Sequence, residues 1–263
     1  MSLKKKSLRL LTWNLWFNDY LQVERLRAVQ AYIEELNPHI VAFQEVTPVA
    51  ETVFAELRGV YQKVPALLPE GQWYWEALYS RLPFSGTSGR FSFSNSEMGR
   101  GLTLLHIPEL NLAVGCVHLE SEDEHAVRRQ QFSFVVNRLD EMPAENKIIL
   151  GDMNCRQGQN LDDLLTAGWS DAWKTACAEK EGFTRDPRRN IMAASGKGHR
   201  LDRIYFKCRD FTLLSIRLIG TAEHRTALDE TFMPSDHFGL LLDLAPVDAA
   251  GWDAKLAALG CEG

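Results

Sequence analysis

Short apolar runs alternate with stretches in which apolar residues recur every three or four positions, and this alternation organises the start of the chain. Residues 8–13 read as a buried strand, after which Val23, Leu26, Val29, Ile33 and Leu36 fall at helical spacing until Pro38 closes the helix. A second apolar run, 40–43, ends in Gln44-Glu45, and 48–57 has helical character again. Strand, helix, strand, helix predicts an α/β layered fold.

The middle is richer in strands. Residues 73–79, 89–94, 102–106 and 112–117 are short segments bounded by Gly, Pro, Asn or Ser, which suggests antiparallel hairpins. A long helix over 124–139, a buried strand over 147–150 and a short helix over 161–167 follow, and 201–206, 212–219 and 240–244 are the last strands. Residues 183–199 lack periodicity and are rich in Gly, Pro, Asn and Arg, the mark of a long irregular loop of the kind that is functional or disordered. After Pro246, Trp252, Leu256 and Leu259 fit either a closing helix or an ordered tail.

With 263 residues, 45% of them hydrophobic, the chain can bury a large core, and no repeat or composition break divides it, so one domain over 1–263 is expected. A formal net charge of -6 excludes coating of nucleic acid by overall charge; any such contact must be local. The cysteines Cys116, Cys155, Cys177, Cys208 and Cys261 are odd in number and irregularly spaced, which fits free thiols rather than a disulfide framework or zinc site. The apolar run after Lys4, Lys5 and Lys6 is too brief for a signal peptide or membrane span. A cytosolic protein is expected, or a nuclear one if the cell has a nucleus. The three lysines read as a solvated start rather than a localisation signal.

Polar clusters stand at the ends of predicted strands: Thr12-Trp13-Asn14, Gln44-Glu45, Gly151-Asp152-Met153-Asn154, and Ser235-Asp236-His237 just before the last strand. In layered α/β folds, strand ends bring distant residues to one rim, where carboxylates and amides suit Mg²⁺. Hydrolysis of a phosphate ester needs positive charge around its transition state. Glu45 is a hard oxygen ligand for the ion, Asn154 can donate to a phosphate oxygen, Asp152 can orient or deprotonate water, and His237 can donate to a phosphoryl oxygen. Asp202 is the candidate carboxylate partner of His237, while His118 and Ser121 could contact phosphate. Each cluster alone is an ordinary turn or cap; together, in this order, they point to one site.

Thr12-Trp13-Asn14, Gln44-Glu45-Val46, Gly151-Asp152-Met153-Asn154, Leu201-Asp202-Arg203-Ile204 and Ser235-Asp236-His237 resemble the ordered motifs of the endonuclease/exonuclease/phosphatase superfamily over residues 8–244. The resemblance implies a four-layer α/β sandwich, DNase I-like, with two central mixed β-sheets flanked by helices, and a Mg²⁺ site that Mn²⁺ can share. It implies Asn14, Glu45 and Asp236 at the metal and Asn14, Asp152, Asn154, Asp202, His118 and His237 in catalysis. Within the superfamily the chain is most similar to the tyrosyl-DNA phosphodiesterases, through 93–100, 118–121, Asp171-Ala172-Trp173, Phe183-Thr184-Arg185-Asp186 and 234–240. That narrower resemblance implies hydrolysis of 5′-phosphotyrosyl-DNA bonds in repair. Two departures concern the substrate: Leu15-Trp16 follows Asn14 where those enzymes have an acidic residue, and Arg185 stands where an aromatic residue precedes the Asp.

Between Arg185 and Arg209 eight basic residues face two acids, a local patch that either tracks DNA backbone or is a solvated loop. Phe183, Trp173 and Trp169 offer a stacking surface, although the two tryptophans fit a core better. Arg100, Arg156 and Arg185 are further phosphate contacts. The expected partners are DNA 5′ ends or DNA–protein adducts, bound by a monomer. The alternatives are a nuclease or phosphatase acting on other DNA ends, inositol phosphates or sphingomyelin, and a non-catalytic binding protein.

Overall fold

The computed structural model describes residues 7–156 and 158–260; Lys4 to Lys6 and Cys261 lie outside them. Four strands open the chain, β1 (Leu8–Asn14), β2 (Ile40–Val46), β3 (Gln62–Lys63) and β4 (Trp75–Ser80), with helix α1 (Gln22–Leu36) after β1 and α2 (Pro48–Val53) after β2. Next come β5 (Gly89–Ser92), β6 (Gly101–Ile107), β7 (Leu112–His118), α3 (His125–Asp140), β8 (Asn146–Asp152), β9 (Ser170–Asp171), α4 (Ala172–Cys177) and β10 (Asp202–Cys208). The chain ends with β11 (Phe211–Ile219), β12 (His224–Arg225), β13 (Thr231–Phe232), β14 (Gly239–Pro246) and α5 (Ala249–Ala258). The first sheet has the order β11-β14-β1-β2-β4-β3 and the second β5-β6-β7-β8-β10-β9.

The strands are apolar on both faces because each face meets another layer. Leu8, Leu10, Ile40, Ala42 and Leu78 of the first sheet pack on Leu105, Val114, Ile148 and Leu150 of the second, forming the central core. The alternate positions Leu11, Trp13, Val41 and Phe43 turn outward onto Leu26, Val29 and Ile33 of α1. Across the molecule, Val117, Ile149 and Tyr205 meet Phe132, Val135 and Val136 of α3. Helix, sheet, sheet, helix is the expected four-layer sandwich. Each fully buried large aliphatic or aromatic side chain stabilises it by roughly 1.5–3 kcal/mol.

Two βαβ units bear on the site: β1 and β2 are parallel through α1, as are β7 and β8 through α3. Each helix carries a buried arginine on its first turn. Arg25 donates to the carbonyls of Leu15, Trp16, Asn18 and Tyr20, and Arg128 to those of Glu120, Ser121 and Glu122. The loops leaving β1 and β7 are thus organised from inside, by donors that would otherwise be buried without acceptors.

The helix expected over 161–167 is reduced to one 3₁₀ turn, Asp162–Leu164. Its polar side chains are drawn to tertiary partners instead: Asp162 accepts from the Tyr205 hydroxyl, and Thr166 reaches Asp140. So short a helix has little cooperativity to resist such competition. Strand β4 begins at Trp75 rather than Trp73 and pairs with β2 and β3, not with the neighbouring strands of the middle segment. The segment after Pro246 closes as α5, capped by the Asp248 carboxylate on the Gly251 amide and anchored by Trp252. Strand β9, helix α4 and the β12–β13 hairpin were not anticipated from the sequence pattern.

One test concerns the start of β1. The Arg9 amide donates to His39 Nδ1 at 3.1 Å, and burial together with Arg81 and Arg9 pushes the His39 imidazole down to about 4 from 6.5. A depressed imidazole takes its proton in the unfolded chain first, so its contribution to stability is complete above pH 6.5 and is lost as the pH falls toward 4. In His39→Gln, which keeps an acceptor without a charge, the urea midpoint should fall less between pH 7 and pH 5 than in the parent protein. Equal slopes would remove His39 from the acid sensitivity.

Candidate active site

Register decides which side chains meet. In the first sheet Asn14 pairs with Gln44, so Asn14 and Glu45 emerge together. In the second, His118 pairs with Asp152 across the parallel β7–β8 edge and Asp202 pairs with Asp152 across the antiparallel β10–β8 edge. His237 returns beside the first sheet just before β14. Its carbonyl accepts from Trp13 Nε1 at 2.8 Å, and its amide donates to Ser235 Oγ, which itself donates to the Asn14 carbonyl.

Special backbone conformations aim these groups. Glu45 has φ 58° and Asn154 φ 50°, left-handed values that cost most side chains energy. Glu45 lies where the β2–β4 register shifts, between Phe43 and Val46, so the irregularity releases its side chain from the ladder. Gly151 has φ 138°, and a Cβ there would sit 2.0 Å from the Val117 carbonyl oxygen; only glycine lets β8 approach β7 so closely just before Asp152.

Asn14 Nδ2 joins the two sheets, donating to Glu45 Oε1 at 3.1 Å and to Asp152 Oδ2 at 2.9 Å. Its Oδ1 accepts from the Trp16 amide at 2.9 Å, so Asn14 turns a donor toward Glu45 and Asp152. Asp152 Oδ1 accepts from the Asn154 amide at 2.8 Å, and Asn154 Nδ2 donates to the Leu119 carbonyl. His118 Nε2 lies 3.5 Å from Asp152 Oδ2 and 4.0 Å from Glu45 Oε1. Arg100 Nη1 stands 2.7 Å from His118 Nδ1, and because an arginine only donates, Nδ1 accepts and the imidazole carries its proton on Nε2.

The two buried histidines are driven in opposite directions. Burial, with Arg100 and His237 nearby, lowers His118 well below the ordinary range, so it is neutral. Burial also opposes charge on His237, but Asp202, whose Oδ2 is 2.7 Å from Nδ1, and Asp236 outweigh it and hold His237 well above the ordinary range. His237 is an imidazolium with Nε2–H unengaged by Asp202. Burial and the Asp236 carboxylate push Glu45 up to about 7.

Such mutual destabilisation of buried carboxylates is what a divalent cation relieves. Asp202 Oδ1 and Asp236 Oδ1 are buried without a hydrogen-bond partner, and the Asp236 charge is felt at the buried Glu45 carboxylate. The donors are mainly oxygens, the preference of a hard ion. The residues therefore fit a divalent metal.

A cavity of about 480 Å³ opens over these groups, its lining including Glu45, Arg100, His118, Ser121, Asp152, Asn154, Arg156, Arg185 and His237. Arg185 is 3.7 Å from Asp236, and Arg156 pairs loosely with exposed Asp123. Phe183 lies apart, lining an adjoining cavity of about 340 Å³ with Arg156, Lys174, Arg200 and Arg203, and it carries Arg188 on its ring. Much of the basic patch is internally paired: Arg188 with Asp186, Arg200 with Asp171, Arg203 with Asp162, Lys207 with Asp140 and Arg209 with Asp210. Of the arginines expected at phosphate, Arg100, Arg156 and Arg185 line the larger cavity. Trp169 and Trp173 are buried core residues, as their spacing favoured.

Phe17, Tyr74, Met98, His199 and Leu201 also line the catalytic cavity and were not anticipated. The apolar run over 73–79 hides Trp73 and Tyr74 in a strand pattern, whereas the buried strand starts at Trp75 and these two rings belong to the rim.

Residues 11–237 match the sequence model of the Endonuclease/Exonuclease/phosphatase family. A 5′-tyrosyl-DNA phosphodiesterase of Caenorhabditis briggsae is 29% identical over 249 residues, covering 90% of this chain and 69% of that protein. The crystal structure of truncated Caenorhabditis elegans TDP2 superposes with a TM-score of 0.81 at 25% identity, over 93% of this chain and 100% of that one. The fold is also that of D. rerio TDP2 complexed with single strand DNA product, TM-score 0.79 at 22% identity, over 91% of this chain and 99% of that one.

Proposed function

We propose, from the premise that this chain belongs to the endonuclease/exonuclease/phosphatase family, that it is a metal-dependent phosphodiesterase that hydrolyses the ester joining a tyrosine hydroxyl to a DNA 5′-phosphate. The observation carrying the reading is the convergence of Glu45, His118, Asp152 and His237 on one cavity, with Asn14 bonded to the first and third and Asp202 to the last. The similarity of nine-tenths of the chain to 5′-tyrosyl-DNA phosphodiesterases supports the choice of ester.

In this reading Glu45 and Asp236 hold the divalent ion, Mg²⁺ or Mn²⁺. When bound, the ion supplies Lewis-acid stabilisation of charge on the phosphate oxygens. Asp152 takes a proton from the attacking water, and its carboxylate is aimed by the Asn14 amide and the Asn154 backbone. Water oxygen bonds to phosphorus as the bond to the tyrosine oxygen breaks. His237 donates from Nε2 to a phosphoryl oxygen, with Asp202 fixing its orientation and charge. Neutral His118 donates from Nε2, and Ser121, Arg100, Arg156 and Arg185 complete the phosphate contacts. The DNA strand continues into the adjoining basic cavity past Phe183. Residues 1–263 act as one catalytic domain, as a monomer. No helix among the described residues is long and apolar enough to cross a membrane.

Release of tyrosine from a 5′-phosphotyrosyl oligonucleotide with Mg²⁺ or Mn²⁺, abolished by EDTA and without cleavage of the unmodified strand, is the expected result. No release, with turnover of another phosphate ester, would overturn the substrate. Glu45→Ala should raise the metal concentration for half-maximal activity, and the calorimetric dissociation constant for the ion, by about tenfold or more, the scale on which metal-site partners act. Unchanged titrations would remove Glu45 from the ligands.

A further inference from the structure

Three aromatic rings that the hydrolytic geometry does not use stand at one lip of the cavity. Ring centres of Phe17 and Trp73 are 4.8 Å apart, those of Phe17 and Tyr74 4.9 Å, and those of Trp73 and Tyr74 4.5 Å. Phe17 is 37% exposed and Trp73 53%. Clustered apolar surface of this kind marks a binding site more often than single exposed residues do. Phe17 and Tyr74 also line the catalytic cavity, so the aromatic surface is continuous with the place where the ester is cut. The link is direct: the Phe17 amide donates to Glu45 Oε2, and the Arg100 guanidinium lies 5.0 Å from the Tyr74 ring centre.

Both segments that build the lip are held in place. Buried Arg25 ties down the carbonyls on either side of Phe17, at Trp16 and Asn18. Gln72 Nε2 donates to the carbonyls of Tyr74 and Met98, bracing the other segment against the opposite wall. Rings fixed before binding lose little freedom when a ligand arrives.

Charge selects the ligand. No lysine or arginine lies between Arg9 and Arg25 or between Lys63 and Arg81, whereas these stretches expose Asp19, Glu24 and Glu70. A polynucleotide needs cations along its path. Those are at Arg156 and Arg185, which line the cavity with Asp152 and Asn154. We infer that Phe17, Trp73 and Tyr74 form a binding surface for the polypeptide remnant attached to the leaving tyrosine, accepting apolar or aromatic residues beside it. This rests on the tyrosyl-DNA reading above and adds a second specificity to it: the enzyme grips the protein side of the adduct as well as the DNA side.

The test compares two substrates with the same oligonucleotide and scissile bond, one ending in a bare tyrosine and one in a tyrosine flanked by leucine and phenylalanine. The wild type should show a KM about tenfold lower for the peptide adduct, the scale of one or two aromatic contacts. Trp73→Ala should cut this preference to about twofold or less, and Trp73→Phe should retain most of it. Trp73 is half exposed, so thermal melts of both variants should stay near that of the parent. Cleavage of both substrates without preference, or a preference untouched in Trp73→Ala, overturns the peptide surface and leaves the tyrosyl-DNA reading standing. A Trp73→Ala defect that grows with oligonucleotide length on the bare-tyrosine substrate assigns the rings to DNA and overturns it too. Cleavage of neither substrate by the wild type overturns both readings.

Discussion

Asp152→Asn should lower kcat on a 5′-phosphotyrosyl oligonucleotide by about three orders of magnitude, with little change in the folded structure. The carboxylate stands between two donors, Asn14 Nδ2 at 2.9 Å and the Asn154 amide at 2.8 Å. Both donors sharpen its aim, and neither can accept the proton that a water must lose as it attacks. An amide in its place keeps the volume but accepts only through one oxygen, so it loses the base and sets its own NH₂ against one of the two donors. Circular dichroism and a thermal melt would establish that the variant folds. A rate within tenfold of the parent would remove Asp152 from the chemistry.

His237→Ala is expected to reduce kcat by a further measure of the same kind, about two to three orders of magnitude, as loss of one charge-assisted donor to a developing oxyanion does. The substitution also strands the Asp202 carboxylate, wholly buried and matched to the imidazolium at 2.7 Å. Breaking such a pair from one side costs about 3–5 kcal/mol, so turnover should be expressed per folded molecule. His237→Gln combined with Asp202→Asn removes both charges and separates the effects: it should recover stability relative to His237→Ala and remain catalytically poor. Recovery of the rate with the stability would mean that the pair serves folding alone.

The motifs that carry chemistry were legible because the strands preceding them are short, apolar and well bounded, and parallel pairing then brings their ends together whatever lies between. Asn14, Glu45, His118 and Asp152 follow from that rule alone. What the rule omits is orientation. Nothing in Thr12-Trp13-Asn14 says that the Asn14 oxygen is spent on the Trp16 amide, leaving the nitrogen toward the site. Nor does the count of cations between Arg185 and Arg209 reveal that Arg188, Arg200, Arg203, Lys207 and Arg209 are neutralised by acids from Asp140, Asp162, Asp171, Asp186 and Asp210. Those partners are fixed by tertiary structure, and local charge patterning carries no information about them. Strand β9 and helix α4 were missed for a related reason: two residues of ladder and six of helix have little intrinsic signal, and Asp171 stabilises them by capping Lys174 and gripping Arg200 with both oxygens.

The buried arginines on α1 and α3 have a consequence for how such a protein can change. A loop that threads its carbonyls onto an internal guanidinium cannot be lengthened by a residue without stranding part of that guanidinium, so the connections after β1 and β7 are closed to insertion. Residues 65–71, which precede the lip held by Gln72, run over the surface, and Leu67 stands 91% exposed among them. Insertions, grafts and library diversity should therefore be tolerated there and rejected in the other two loops. The loops that carry Phe17 and Ser121 and the segment around Leu67 can thus evolve at different speeds within one chain.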